Sequence, residues 1–241
     1  MKFEGRYKRN SKTFSELDQL KLAASSVAIV GCGGLGGYIA EEYARIGVGR
    51  LVLIDGDRLE VSNLNRQIMA TELNLGQWKV EAAQERLQSV NSELRVDIVK
   101  GWFEEDRGAE LFREVDLVCD GLDSLQARVG LERVCHQMEL PLVFASIASW
   151  FGQLGVSLPG DHSVARLYGR ADKGVESTWG NPVFTPAVLA SLSVAEGVKL
   201  LVGRQPSLRH AWLQVDLLTM EFERFEIPEL QLITKGVMNH G

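Results

Sequence analysis

Three glycines, two acids and two basic side chains carry the chemistry legible in this chain. The run Gly31-Cys32-Gly33-Gly34-Leu35-Gly36 has the spacing GxGxxG. That spacing permits a tight turn and lets a phosphate reach backbone N–H groups at the positive end of a helix. Gly33 and Gly34 are placed to meet the phosphate. Asp55, which ends the next apolar run, is the candidate to hold a ribose hydroxyl. Further on come Ser62, Asn63, Asn65 and Arg66 in a polar stretch, then Lys79, then Asp123 with Ser124 behind it. Two cations with an additional acid suit phosphoryl or nucleotidyl transfer. The cations absorb charge growing on phosphate oxygens, and a carboxylate holds Mg²⁺ against them.

Plainer readings stand beside these. The glycine turn alone favours an NAD-dependent oxidoreductase, or serves only helix-on-sheet packing. An Arg on a polar loop is usually solvated, and Asp123 could cap a helix starting at Ser124. Lys79 at a helix start is mildly opposed by the helix dipole, which argues that it has another task.

The elements that must position these residues follow from the apolar pattern. Val27–Val30 reads as a buried strand running into the glycines, Tyr38–Ile46 as a helix, and Leu51–Ile54 as a strand ending at Asp55, together a βαβ unit. A polar insertion, 58–75, precedes a helix over 77–90, strands near Val96–Val99 and Val115–Cys119, a helix over 124–138 and a strand over 141–145. The carboxyl ends of parallel strands share one crevice, so Asp55 and Asp123 should face the same ligand. After 145 the pattern changes to antiparallel strands over 152–158 and 211–225, the latter with a turn near Leu218-Thr219. Between them, 160–182 is polar and rich in Gly and Asp and reads as a mobile loop, followed by a helix over 186–202 that has Pro186 in its first turn and Gly203 at its end. The tail after Ile227 is read as peripheral. The expected fold is α/β and Rossmann-like, a largely parallel doubly wound sheet extended by antiparallel C-terminal strands. It forms one domain over 1–241, with halves of about 26–145 and 146–227.

Composition narrows the class. With 45% hydrophobic and 24% charged residues the chain suits a globular enzyme. A net charge of −6 disfavours a nucleic-acid partner. Cys32, Cys119 and Cys135 form no CxxC pair, and three thiols in apolar runs suggest reduced, buried groups in a cytoplasmic protein. The basic, polar N-terminus is no signal peptide. No apolar run approaches the roughly 20 residues of a membrane span. His136, His162, His210 and His240 are scattered and are given no role.

The stretch Val27 to Asp123 resembles the adenylation domain of the ThiF/MoeB/HesA family, within the ubiquitin-activating-enzyme superfamily. The matching pieces are the Gly31–Gly36 loop, Asp55-Gly56-Asp57, Ser62-Asn63-Leu64-Asn65-Arg66-Gln67, Gly76-Gln77-Trp78-Lys79 and the segment 120–123. Arg6-Tyr7-Lys8-Arg9 is similar to the family's opening RYxRQ, with Asn10 for the usual Gln, and the likeness extends to Phe225. This resemblance implies a homodimer that binds ATP with Mg²⁺ and adenylates the C-terminal Gly-Gly carboxylate of a ubiquitin-like sulfur carrier, releasing pyrophosphate. The half 146–227 would then bind the carrier. It implies that Gly34 touches the nucleotide and Asp55 its ribose. Asn63, Asn65, Arg66 and Lys79 would hold the phosphates, Asp123 the metal, and Arg9 would reach the neighbouring protomer's site.

Three departures limit the likeness. The two CxxC pairs that hold zinc in many relatives are missing, so no zinc is expected. The segment Val175–Gly180, where persulfide- or thioester-forming relatives place a Cys, has none. Ser124 replaces the usual Asn, which loosens one ligand contact. A related family adenylates a carboxylate on a modified tRNA base, and the acidic balance counts against that acceptor. A non-catalytic partner in a heterodimer is disfavoured by the retained Asp55, Arg66, Lys79 and Asp123.

Overall fold

The computed structural model describes residues 5–169 and 179–227. Its frame is one eight-stranded sheet in the order β3-β2-β1-β4-β5-β6-β7-β8. The strands are β1 (Ser26–Val30), β2 (Arg50–Asp55), β3 (Arg95–Lys100), β4 (Leu117–Asp120), β5 (Leu142–Ala148), β6 (Phe151–Ser157), β7 (Ala211–Asp216) and β8 (Glu221–Glu226). β1 to β5 pair in parallel, and β6, β7 and β8 add on antiparallel.

Helices cover both faces, which is why the central strands β1, β2 and β4 are buried at nearly every position and mostly apolar. Val27 and Ile29 of β1 pack into a core shared with helices α2 (Gly34–Ile46), α3 (Lys79–Val90) and α7 (Phe184–Val202). Their neighbours Ala28 and Val30 point the other way, into a core shared with α4 (Gly108–Leu111), α5 (Leu125–Gln137) and α6 (Ser163–Tyr168). The alternation follows from the two-residue period of a strand. Helix α1 (Glu16–Ala24) lies against α7, its start fixed by a Ser15/Asp18 capping box.

From β1 the chain steps outward to β2 and β3, then returns to β4 on the other side of β1. The loops after β1 and β4 therefore leave in opposite directions, the condition under which open α/β sheets form a ligand crevice. Here the two loops touch. Gly31 has φ +90°, and a Cβ on it would lie 2.5 Å from the Gly121 carbonyl oxygen.

Several local expectations shift. Helix α2 starts at Gly34 rather than Tyr38, because the glycines let its first turn close against β1. A Cβ on Gly36 would lie 1.8 Å from the Gly31 carbonyl oxygen. Gly36→Ala therefore forces apart two backbone segments, and we expect a loss at the upper end of the roughly 1–3 kcal/mol range for overpacking. A urea-unfolding midpoint unchanged by the substitution would contradict this. β4 starts at Leu117 and includes Asp120, so Val115 lies outside it.

The region read as a polar loop over 160–182 holds a helix, α6. The buried Glu132 carboxylate supplies the reason, accepting from Val164 N (2.7 Å), Ala165 N (2.8 Å) and Ser157 Oγ (2.6 Å). It thus satisfies free amides in the first turn of a helix whose own sequence has no capping side chain.

The expectation that nothing approaches a membrane span in length and apolarity is also corrected. α7 has 19 residues and a mean hydropathy of 1.4. Ser191, Ser193, Glu196 and Lys199 interrupt its apolar run in the sequence, yet the helix as a whole is long and apolar enough to cross a membrane by length and composition alone. Inside the fold it packs against α2, β5 and β6. The tail after 227, and residues 175–178 of the segment where relatives place a Cys, lie outside the described residues.

Candidate functional site

At the switch point between β1 and β4 opens a cleft of about 250 Å³. Gly31, Gly33, Gly34, Asp55, Asn63, Arg66, Lys79 and Asp123 all line it. Residues from position 31 to position 123 thus reach one place, because each ends a strand, follows its carboxyl end or starts the helix above it.

Gly33 and Gly34 bring the N-terminus of α2 into the wall, with Gly33 at the N-cap and no side-chain hydrogen bond capping it among the described residues. This leaves amide N–H groups for an anion. Asp55 is 7% exposed and accepts from Cys32 N (2.7 Å) and Asp57 N (2.8 Å). Its carboxyl is pushed above the usual carboxylate range by burial, which Lys79 and the two amides partly offset. A carboxyl raised in this way stabilises the fold below its unfolded value, and that contribution is lost as pH rises through the raised one.

Arg66 lies over the first turn of α2. A Cβ on Gly34 would meet the Arg66 stem at 3.5 Å. The guanidinium is aimed by the hexad itself: Nη1 donates to the Ser62 carbonyl (2.9 Å) and to Asn65 Oδ1 (2.9 Å). Asn65 Nδ2 in turn donates to the Asn181 carbonyl (3.2 Å). Lys79 occupies the first position of α3, and its buried ammonium pairs with Asp57 Oδ2 at 2.7 Å. Asp57 thereby offsets both the dipole and the burial of that charge.

Asp123 is exposed and makes no ion pair or hydrogen bond among the described residues. The capping role falls to Ser124, whose hydroxyl accepts from Ala127 N (3.4 Å). A carboxylate at the cleft with no structural partner is suited to a cation.

Four expected site residues are not in the wall. Ser62 and Asn65 hold Arg66, and Ser124 caps α5. Arg9 is exposed at the far side of the fold, since Tyr7, two residues before it, packs on Gly47 beyond the C-terminal end of α2. A 13-residue helix is about 20 Å long, so Arg9 and the cleft of its own chain lie at opposite ends of α2.

The wall also contains residues the sequence reading did not assign: Asp57, Gln67, Trp102, Leu122, Arg128 and Asn181. Gln67 closes the hexad and was within reach of the motif. It is 5% exposed, and its Oε1 has no hydrogen-bond partner among the described residues. Arg128 lies eight residues beyond Asp120 with no local sign of its role. Its Nη1 donates to Asp120 Oδ2 (3.0 Å) and the Ala145 carbonyl, and its Nη2 to the Leu122 carbonyl. It ties the turn that carries Asp123 to β5.

The thiols are structural. Cys32, Cys119 and Cys135 are free and buried. Burial pushes Cys119 up to about 12 and raises Cys32 and Cys135 as well, with Asp55 adding to the rise at Cys32. We expect no thiol to react with Ellman's reagent at pH 8 in the native protein and all three to react in guanidinium. Fast native labelling of Cys32 would show an accessible, nucleophilic thiol and contradict this.

The arrangement has relatives. The ThiF family matches residues 7–232. The molybdopterin-synthase adenylyltransferase of Haemophilus influenzae is 29% identical over 217 residues, covering 87% of this chain and 88% of its own. The sulfur carrier protein adenylyltransferase of Thermus thermophilus is 33% identical over 219 residues, covering 87% and 81%. Among solved structures, E. coli MccB with ATP superposes with a TM-score of 0.79 at 21% identity, covering 95% of this chain and 73% of that one. The fold, the motifs and the extent of the match agree: the chain belongs to the ThiF family.

Proposed function

We propose that the protein is an ATP-dependent adenylyltransferase that activates the C-terminal Gly-Gly carboxylate of a ubiquitin-like sulfur-carrier protein. The observation that carries this reading is the convergence of Arg66, Lys79 and Asp123 with Asp55 over the open first turn of α2. Relatives named as sulfur carrier protein and molybdopterin-synthase adenylyltransferases support it across most of the chain.

The chemistry needs no general base. A terminal carboxylate titrates near roughly 3.5 and is an anion at neutral pH. One of its oxygens bonds to the α-phosphorus of ATP while the bond from that phosphorus to the bridging oxygen of the β-phosphate breaks. Acyl-adenylate and pyrophosphate result. The protein's task is to align two anions and absorb the developing charge, which falls to Arg66, Lys79 and the amides of the α2 turn.

The charge balance of the cleft supports a metal. Three basic side chains (Arg66, Lys79, Arg128) face three acidic ones (Asp55, Asp57, Asp123), so the wall has little net charge to set against a triphosphate. The described residues contain no cluster of three potential ligands. This fits Mg²⁺, which is usually held by one or two carboxylates together with substrate phosphates. Asp123 would hold it, and the ion would neutralise charge on the leaving pyrophosphate. Arg9, distant from its own cleft, would serve that of a second copy in a homodimer. The buried reduced thiols fit a cytoplasmic setting.

The test is exchange of labelled pyrophosphate into ATP, with and without a carrier ending in Gly-Gly. Carrier-dependent exchange is expected. Exchange stimulated by tRNA alone, or NADH binding with no exchange, would overturn the reading.

A further inference from the structure

Trp102 lines the cleft, yet the phosphate chemistry gives it no task. A single exposed apolar side chain needs no explanation in itself, and this one is 63% exposed. Its position is what calls for one. Lys100, the last residue of β3, pairs in register with Asp55. Gly101 N then donates to the Asp55 carbonyl (3.2 Å), so the chain turns beside Asp55 and sets the indole against Gly56. A Cβ on Gly56 would lie 2.7 Å from indole Cδ2 and 2.8 Å from Cε2. One side of the ring is therefore backed by the main chain immediately after Asp55, while most of the residue remains open.

The strand order turns this into a direction. Phosphates meet the α2 turn that follows β1, and the ribose meets Asp55 at the end of β2. The next strand in line is β3, with Trp102 just beyond it. Neighbouring strands lie about 4.8 Å apart, the scale of the step from a ribose to its base. A nucleotide whose phosphates and ribose occupy these two places brings its base over the indole.

The geometry points to Trp102 as the stacking surface for the adenine base. This rests on the nucleotide reading given above, though not on the transfer step. An aromatic ring against the π-face of a base senses that a base is present rather than which base it is. Trp102 thus binds the non-reacting end of ATP and belongs to KM rather than kcat.

The experiment uses the full chain with Trp102→Ala and Trp102→Phe. Exchange is followed against ATP concentration, and tryptophan emission is titrated with ATP and with inorganic tripolyphosphate. Trp102→Ala is expected to raise the KM for ATP by roughly 5- to 150-fold with kcat little changed, and Trp102→Phe to recover most of the loss. ATP should quench the wild-type emission and tripolyphosphate should not, because it has no base. The quench should disappear in Trp102→Phe. An unchanged KM in the alanine variant, or a full quench persisting in the phenylalanine variant, overturns the assignment. An ATP quench that depends on Trp102 in a protein showing no exchange would sink the transfer chemistry and uphold the stacking.

Discussion

Arg66→Ala and Asp123→Ala are each expected to lower carrier-dependent pyrophosphate exchange by at least about 100-fold. Both should leave the melting temperature within about 2 °C of the parent. The expected loss reflects charge stabilisation made in the transition state, where removing one preorganised donor commonly costs two to three orders of magnitude. The small structural effect follows from what each side chain touches. Among the described residues the Arg66 guanidinium is tied to a neighbouring carbonyl and to Asn65 alone. Asp123 is bonded to nothing among the described residues, and removing it relieves like charge beside Asp120. The two losses should differ in kind: extra Mg²⁺ should recover part of the activity of Asp123→Asn and none of that of Arg66→Ala. Unchanged exchange in both alanine variants would remove the site.

Arg128→Met is expected to cost about 3–5 kcal/mol of stability, the usual penalty for leaving one partner of a buried pair uncompensated. Arg128 and Asp120 have side chains 2% and 1% exposed. The Asp120 carboxyl is already pushed up by burial, with Arg128 as the main force holding it down. Without Arg128 it rises further. A carboxyl raised in the folded state favours the fold below its unfolded value and loses that contribution as pH rises through the folded one. The deficit of the variant should therefore be smallest in acid and grow toward neutral pH. Adding Asp120→Asn removes the stranded charge and should restore part of the stability. Denaturant unfolding of the two single variants and the double, at two pH values, measures this. A deficit below about 1 kcal/mol at both would show that the pair does not hold the turn.

Much of the frame was legible in local pattern. Val27–Val30, Leu51–Ile54 and the antiparallel pairing after residue 145 stand close to where the apolar runs and turn residues placed them. Elements buried on both faces announce themselves by continuous apolar runs. The polar hexad was recognisable as a motif, and its own bonds explain why it aims Arg66.

What local pattern could not carry was any assignment depending on a partner far along the chain. Helix α6 forms because Glu132, some thirty positions earlier, satisfies its first amides, so the segment itself reads as loop. Asp123 and Ser124 are adjacent, and either could have capped α5. Only the hydrogen bond from Ala127 shows that Ser124 does, leaving Asp123 for a cation.

The amino-acid order alone determined the parallel α/β frame, the glycine turn and the acid at the end of β2, because each depends on spacing within a few residues. The tertiary structure decided that Trp102 and Arg128 enter the cleft, that Asp57 holds Lys79, and that Arg9 stays out. These outcomes depend on which strand lies beside which, and on how far a helix separates its two ends. Those distances exist only once the strand order has reversed between β1 and β4.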